Sequence, residues 1–243
     1  MNNKKIALVT GGNRGIGYET SLQLAEQGVH VIIGARQLGR AADVAAQLQS
    51  QGLHAEALAI DVSDSASIAA AAKEIEARHG RLDILVNNAG ILGETVAGAS
   101  AQTMPQWRQI FDTNVFGLIE TTTALLPLLR KSAAGRIVNV SSLLGSNTLH
   151  TQPGSPIYEM KVMPAYNVSK SAVNAWTVQL AYELKDTAIK VNAIHPGYVK
   201  TEMNQGGGEM EIPDGAKSSV AMALIGGDGP NGSFTHLGET LPW

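Results

Sequence analysis

Short apolar runs bounded by glycine, asparagine or aspartate alternate along the chain with longer, alanine-rich segments. The short runs have the length of buried strands, and the longer segments repeat apolar residues at helical spacing. This alternation is typical of strand–helix–strand units around a parallel sheet. The predicted strands are Ile6–Val9, Val31–Ile33, Ala57–Ile60, Ile84–Val86, Ile137–Val140, Val191–Ile194 and Gly232–Thr235. The predicted helices are Ile16–Gln27, Ala41–Gln51, Ser65–His79, Met104–Arg130, which is broken or kinked near Asn114 and Pro127, and Ala165–Asp186.

The pattern predicts one α/β domain over residues 1–243, with a doubly wound parallel sheet of about seven strands and helices on both faces. Two stretches interrupt it. Residues 144–163 contain two prolines and several polar residues, and residues 203–214 contain Gly206-Gly207-Gly208. Because ligands of such sheets bind beyond the carboxyl ends of the strands, we expect a substrate-side insertion in the first stretch and a lid-like loop in the second. Plain surface loops are the alternative.

The composition and the net charge indicate what the core consists of and which kind of molecule the protein binds. Hydrophobic residues make up 44% of the chain and aromatic residues 5%, so the core is expected to consist mainly of alanine, valine, isoleucine and leucine. A net charge of −3 without a dense basic cluster argues against nucleic acid and against an anionic membrane surface. A small-molecule partner is favoured.

Cysteine and histidine usage bears on metals and redox chemistry. The absence of cysteine excludes disulfides, thiolate zinc sites and a cysteine nucleophile. The six histidines show no paired metal-ligand spacing, so no metal site is predicted. The amino-terminal residues lack the long apolar segment of a signal peptide, so a cytoplasmic location is expected.

A glycine-rich segment, Thr10-Gly11-Gly12-Asn13-Arg14-Gly15-Ile16-Gly17, lies between the first predicted strand and the first predicted helix. Glycines in this setting allow a tight turn and let a pyrophosphate approach the amino end of the helix, where exposed amides and the helix dipole stabilise its charge. The segment therefore indicates a dinucleotide site. A glycine-rich turn without a ligand is the alternative.

The end of the second strand bears on the choice of dinucleotide. Arg36 stands where an NAD(H) site would have a carboxylate for the ribose hydroxyls. A guanidinium suits a 2′-phosphate, and Arg14 could approach the same group, so NADP(H) is favoured over NAD(H). Either arginine alone is equally consistent with a solvated surface charge. Asp61 and Val62 are candidates for the adenine contact, although Asp61 could instead cap the following helix.

Tyr166 and Lys170 are the candidates for proton transfer. At i and i+4 of a helix they share a face, so the ammonium can favour ionisation of the phenol. A phenol so placed can exchange a proton with a carbonyl oxygen. Work near neutral pH would require the pKa of the phenol to fall by about 3 units from about 10, which corresponds to about 4 kcal/mol.

These motifs together resemble those of the classical short-chain dehydrogenase/reductases over essentially the whole chain. Beyond the glycine-rich segment, they are Asn87-Asn88-Ala89-Gly90, Thr113-Asn114-Val115-Phe116-Gly117, Ser141-Ser142, Tyr166 with Lys170, and Pro196-Gly197-Tyr198-Val199-Lys200-Thr201. The resemblance implies a Rossmann-type fold and four catalytic residues, Asn114, Ser142, Tyr166 and Lys170. Ser142 is preferred to Ser141 because the family usually uses the second serine of such a pair. The implied cofactor-binding residues are Gly11, Asn13, Arg14, Gly15, Ile16, Gly17, Arg36, Asp61, Val62, Asn88, Ala89, Gly90, Tyr166, Lys170, Pro196, Gly197, Val199 and Thr201.

The activity that the resemblance implies is hydride transfer between NADP(H) and a carbonyl or alcohol. Tyr166 would give a proton to the carbonyl oxygen and Ser142 would hydrogen-bond it, while Lys170 would hold the nicotinamide ribose and Asn114 would take part in a proton relay. Two other functions remain open: a non-catalytic sensor or scaffold that binds a dinucleotide, and an NAD-linked alcohol dehydrogenase.

The segment between Ser142 and Tyr166, 23 residues long, resembles that of carbonyl-reductase-like members, which reduce hydrophobic aldehydes and ketones. Such an insertion could cover a face used for dimerisation, so both a monomer and a homo-oligomer remain possible. Four methionines in the two irregular stretches would suit a broad apolar pocket: Met160, Met163, Met203 and Met210. His195 is interpreted as structural.

Overall fold

A computed structural model of the protein describes residues 4–243. These residues contain a single sheet in the order β3-β2-β1-β4-β5-β6-β7-β8. The strands from β1 to β7 are parallel, and β8 is antiparallel to β7. Their bounds are β1 Ile6–Thr10, β2 His30–Ala35, β3 Ala55–Ala59, β4 Ile84–Asn87, β5 Arg136–Val140, β6 Lys190–Ile194, β7 Phe234–His236 and β8 Glu239–Thr240.

Helices cover both faces of this sheet. Their bounds are α1 Gly15–Glu26, α2 Leu38–Ser50, α3 Ser65–His79, α4 Met104–Phe111, α5 Gly117–Leu129, α6 Asn147–Thr151, α7 Pro164–Glu183 and α8 Ile212–Leu224. Within residues 4–243 no helix is both long enough and apolar enough to cross a bilayer.

The core consists of two apolar clusters, one on each face of the sheet. Leu8 of β1 packs in one cluster with residues of α3, α5 and α7, including Leu125 and Leu180. Its neighbour Val9 packs in the other with residues of α1, α2 and α8, including Leu24. Because successive side chains of a strand point to opposite faces, a strand buried on both sides is apolar throughout. The doubly wound α/β fold predicted from the sequence is confirmed.

The predicted strands are all present, and the sheet has one more. The sequence pattern missed β8 because its two residues are exposed and polar. It pairs with β7 across a two-residue turn, Leu237-Gly238, in which both residues have positive φ, 47° and 89°. Such turns match the twist of antiparallel strands.

Two helices lie where irregular chain was predicted. The stretch 144–163 contains the short helix α6. The lid-like loop was predicted to extend to residue 214, but this bound is wrong because α8 begins at Ile212. Pro213 lies in the first turn of α8, where its missing N–H costs nothing and its fixed φ suits a helix.

The break predicted near Asn114 is confirmed, and its form is a π-helical turn over Asp112–Phe116 between α4 and α5. At Pro127, where a break or kink was expected, the helix is not broken. This proline lies inside α5, two residues before the helix ends at Leu129.

Candidate active site

The predicted site residues follow four neighbouring strands at one edge of the sheet. The glycine-rich turn follows β1, Asn88 follows β4, Ser142 follows β5 and Pro196 follows β6. Since β1, β4, β5 and β6 are adjacent and parallel, their carboxyl ends lie side by side. The fold therefore brings together motifs that are up to 190 positions apart in the chain.

The glycine-rich turn has the form required for a pyrophosphate. Gly11 and Gly15 have φ of 62° and 54°, which glycine adopts without strain. A Cβ atom at Gly17 would lie 2.3 Å from the Gly11 carbonyl oxygen, so only glycine fits. Among the described residues no side chain caps the start of α1, and no acidic residue lies in its first turn. The amides and the dipole at this end are therefore available to an anion.

An amide network fixes the carboxyl ends of the central strands. Asn88 Nδ2 donates to the Thr10 carbonyl oxygen at 2.9 Å. Asn87 Nδ2 donates to Thr122 Oγ1 at 2.8 Å and to Asn139 Oδ1 at 2.9 Å. These bonds tie the turn after β1 and the ends of β4 and β5 to one another.

Tyr166 lies in the first turn of α7 beside Ser142. Its side chain is half-buried, and the two hydroxyl groups interact. Burial raises the pKa of Tyr166 above its usual value, and the hydrogen bond with Ser142 lowers it by less. Tyr166 is therefore protonated at neutral pH and can act as a proton donor.

Lys170 lies one turn further along α7 and is buried. Its Nζ atom donates to the Val140 carbonyl oxygen at 2.8 Å and lies 5.6 Å from the centre of the Tyr166 ring. Burial lowers the pKa of Lys170 to about 8. Among the protein's own groups, burial of the phenol dominates and raises the pKa of Tyr166, so the acidifying effect expected from Lys170 stays a prediction.

The two adjacent serines have different environments. Ser141 Oγ donates to Asn174 Oδ1 at 2.6 Å and is buried. Ser142 Oγ instead accepts a bond from Leu144 N at 3.2 Å. An accepting hydroxyl still has its own proton to donate, so Ser142 can bind an oxygen in front of Tyr166. This geometry supports Ser142, which remains a prediction.

The Asn114 side chain is fully occupied. Its Oδ1 accepts from Ile91 N at 2.8 Å, and its Nδ2 donates to the Ile91 carbonyl oxygen at 2.9 Å and to Ser169 Oγ at 3.1 Å. These bonds tie the loop after β4 to α7. The side-chain amide therefore positions this loop, and a role of Asn114 in a proton relay remains a prediction.

The candidate adenosine end lies beyond β2 and β3. Arg36 is exposed there, and Asp61 is half-buried close to it. Burial raises the pKa of Asp61, but hydrogen bonds from Ser63 and the charge of Arg36 outweigh this, so the net shift is downwards. The alternative in which Asp61 caps α3 is wrong, because Asp64 accepts the bond from Ala66 N at 2.9 Å. Asp61 therefore remains available for a ligand.

Arg14 forms an ion pair with a residue that the sequence analysis did not single out. Its Nη1 atom lies 3.0 Å from Glu202 Oε2, in the loop after β6. The sequence analysis missed Glu202, since an ion pair between residues 188 positions apart leaves no local signal.

The loop after β6 folds back towards the glycine-rich turn. Gly197 has φ of 96°, and a Cβ atom there would lie 2.2 Å from Met210 Sδ. The methyl group of Thr201 is 4.0 Å from the position of a Cβ atom at Gly15. The segment 196–201 therefore faces the amino end of α1, as a segment that closes over a dinucleotide should.

His195 is structural, in agreement with its interpretation from the sequence. Its Nδ1 atom accepts from Leu143 N at 3.1 Å. Burial, helped by the nearby charge of His236, lowers the pKa of His195 to about 3. The ring is therefore neutral at physiological pH and holds the start of the segment after Ser142.

Comparison with known proteins agrees with this geometry. The family profile described as short chain dehydrogenase matches residues 5–211. The chain belongs to the short-chain dehydrogenase/reductase family. It is 35% identical to short-chain dehydrogenase/reductase 1 of Saponaria officinalis, over 99% of this chain and 96% of that protein. It is 32% identical to salutaridine reductase of Papaver bracteatum, over 97% and 95%.

A solved structure is also similar over its full length. The NADPH-bound carbonyl reductase from chicken fatty liver superposes with a TM-score of 0.86 and is 25% identical, over 99% of both chains. This short-chain dehydrogenase/reductase is therefore an oxidoreductase of the hydride-transferring type.

Proposed function

We propose that this short-chain dehydrogenase/reductase uses NADP(H) to reduce small hydrophobic aldehydes or ketones. The observation that carries the proposal is the grouping of Ser142, Tyr166 and Lys170 at the carboxyl end of β5. Ser142 binds an oxygen, Tyr166 donates a proton and Lys170 supplies a positive charge. A sensor or scaffold would need the glycine-rich turn but not this grouping.

Each of the three side chains has a separate task. Ser142 Oγ accepts a bond from Leu144 N and still has its O–H group, which can donate a hydrogen bond to the substrate oxygen. Tyr166, protonated at neutral pH, transfers its proton to that oxygen as negative charge develops. Lys170 provides a buried ammonium that stabilises the resulting phenolate and has two further N–H donors besides the one bound to Val140.

The residues around this grouping fit a dinucleotide. The amino end of α1, uncapped among the described residues, is a site for the pyrophosphate. When bound, the nicotinamide supplies the hydride. The residues that we propose to hold the dinucleotide are Gly11, Asn13, Arg14, Gly15, Ile16, Gly17, Arg36, Asp61, Val62, Asn88, Ala89, Gly90, Tyr166, Lys170, Pro196, Gly197, Val199 and Thr201.

Arg36 supports NADP(H) over NAD(H). It is exposed immediately after β2, and no carboxylate occurs at positions 34–37 to hold a ribose diol. The similar carbonyl reductase from chicken fatty liver contains NADPH. We expect Arg36→Asp to weaken NADPH more than NADH and to reverse the order of the two dissociation constants. Equal affinity of the unmodified protein for both cofactors would contradict the proposal.

Exposed apolar side chains near the grouping support a hydrophobic substrate. Met160 and Val162 lie in the segment between β5 and α7, and Tyr198 and Met203 lie after β6. Val96 N donates to the Val162 carbonyl oxygen at 2.8 Å, which joins the loop after β4 to the first of these segments. Polar substrates would gain little from such a surface.

The test is NADPH oxidation against a panel of aldehydes, ketones and quinones. We expect turnover with apolar carbonyl compounds, and we expect Tyr166→Phe to abolish it while NADPH binding stays within about 3-fold. Tyr158→Phe is the matched control, since Tyr158 also lies close to a lysine, Lys161, but outside the grouping. NADPH binding without turnover on the panel would favour a sensor. Unchanged turnover in Tyr166→Phe would exclude Tyr166 as the acid.

A further inference from the structure

Three ionisable side chains from distant parts of the chain lie together at the edge of the sheet opposite the active site. His30 is the first residue of β2, Glu56 is near the start of β3, and His79 is the last residue of α3. One nitrogen or oxygen atom from each lies within 4.8 Å of the other two. The sequence analysis predicted no metal site because these residues are not closely spaced in the chain.

The two carboxylate oxygens of Glu56 face different imidazoles. Glu56 Oε1 lies 2.7 Å from His79 Nε2, and Glu56 Oε2 lies 3.5 Å from His30 Nε2. His30 Nε2 is buried and has no hydrogen-bond partner within residues 4–243. A buried ring nitrogen without a partner is costly, and a bound cation would satisfy it.

The elements that carry these residues are rigid. Val31 of β2 pairs with Ala55 of β3, so His30 and Glu56 stand beside this pair on fixed strands. His79 is followed by Gly80, whose φ of 72° ends α3 at a defined position. Donors on regular elements can be held in a fixed geometry.

We propose that His30, Glu56 and His79 bind a divalent transition-metal ion of the Zn²⁺ class, with water in the fourth position. Two imidazole nitrogens and one carboxylate suit Zn²⁺, whereas Mg²⁺ and Ca²⁺ prefer oxygen ligands alone. Bonds of about 2.1 Å in a tetrahedral site place ligand atoms about 3.4 Å apart. His30 Nε2 and Glu56 Oε2, which are 3.5 Å apart, already have this separation. The distance between His79 Nε2 and Glu56 Oε1, now 2.7 Å, needs to increase by less than about 1 Å.

A cation already lies next to Glu56, and a bound metal ion would have to displace it. The Arg78 guanidinium lies 3.4 Å from Glu56 Oε1 and also pairs with Glu74 on the same helix. Arg78 therefore competes with the ion for Glu56, and it can move away without losing its second partner.

The experiment uses untagged protein treated with a chelator, so that no added histidines bind metal. We expect one equivalent of Zn²⁺ by calorimetry and by competition with a chromophoric chelator. We expect His79→Asn and Glu56→Gln each to weaken the affinity by more than about 30-fold, since loss of a ligand costs at least as much as loss of its supporting partner. Arg78→Gln should tighten it, because a competing cation is removed.

His54 offers the matched control. It is exposed, and its ring centre is 6.5 Å from that of His30. We expect His54→Asn to change the affinity by less than about 3-fold. Co²⁺ should give the intense visible bands of a four-coordinate site, and His79→Asn should remove them. Circular dichroism and NADPH binding of each variant, at the opposite edge of the sheet, check that the fold is kept.

The proposal fails if less than about 0.2 equivalents of Zn²⁺ bind to a well-folded protein. It also fails if His54→Asn and His79→Asn weaken binding equally, because non-specific surface histidines would then account for the signal. In either case the cluster is only a charge network around Glu56.

Discussion

Arg14 Nη1 and Glu202 Oε2 lie 3.0 Å apart, so an ion pair joins the glycine-rich turn to the loop after β6. Both side chains are largely exposed, at 64% and 81%, and such pairs stabilise a fold by at most about 1 kcal/mol. An ion pair this weak can open when a ligand phosphate enters. Glu202 therefore competes with the 2′-phosphate that we propose for Arg14.

We predict that Glu202→Gln tightens NADPH binding by about 2- to 5-fold, which corresponds to the weak ion pair that is removed. NADH, which lacks the 2′-phosphate, should change less. Fluorescence titration with each cofactor measures this. Glu209→Gln removes the same charge from the same exposed loop and is the control. An equal gain for both cofactors would show that Arg14 does not reach the 2′-phosphate.

Gly17→Ala should abolish tight cofactor binding. The added methyl group would lie 2.3 Å from the Gly11 carbonyl oxygen and 2.4 Å from Asn88 Nδ2, so the turn must move. We expect the dissociation constant for NADPH to rise by at least about 100-fold and Tm to fall, as for a steric change at a tightly packed position. Gly39→Ala is the control, because among the described residues no atom outside its own helix lies within 4 Å of the new methyl group. Normal NADPH binding by Gly17→Ala would disprove the assignment of this turn.

Substitution of Ser142 should affect catalysis, whereas substitution of Ser141 should affect stability. Ser142→Ala removes a donor to the substrate oxygen, and we expect kcat for carbonyl reduction to fall by about 10² to 10³-fold with little change in NADPH binding. Ser141→Ala leaves Asn174 Oδ1 without its 2.6 Å donor, so the free energy of unfolding should fall by about 1–3 kcal/mol while kcat changes little. Steady-state kinetics and urea denaturation measure the two effects. The reverse result would make Ser141 the active serine.

The pH dependence of carbonyl reduction should follow Lys170. Because burial lowers its pKa to about 8, this lysine is charged below that pH and loses its charge above it. We predict that kcat/KM for NADPH falls as pH rises through about 8. The pKa of Tyr166 is raised instead, so its ionisation lies at higher pH. Lys170→Arg keeps the charge, and any activity that it retains should not fall in this range. If kcat/KM of the Lys170→Arg variant falls at the same pH, the titrating group is not Lys170.

The sequence predicted the elements that carry the site better than the contacts within it. The strand after which Ser142 lies and the helix that carries Tyr166 and Lys170 were predicted correctly, because both follow from regular geometry. The raised pKa of Tyr166 was not foreseen, since the sequence shows the neighbouring lysine but not the extent of burial. The main partner of Lys170 is a backbone carbonyl, at Val140, which no side-chain pattern reveals.

The elements that were missed have physical reasons as well. The strand β8 has no apolar residue, and α6 is too short for a periodic pattern. The helix α8 was missed as a whole beside the neighbouring glycines, although Pro213 next to Ile212 is a typical helix start. Residues 30, 56 and 79 meet only because β2 and β3 are neighbours and α3 ends beside them.

The π-helical turn at 112–116 acts as a built-in insertion that sets the rotation of α5. Each residue of an α-helix turns the chain by about 100°, so deleting one residue here would swing the inward side of α5 about a quarter turn away from the core. Leu118 and Leu125 would then lose their packing, and Asn114 would leave Ile91. The number of residues in this turn is therefore as strict a requirement as their identity.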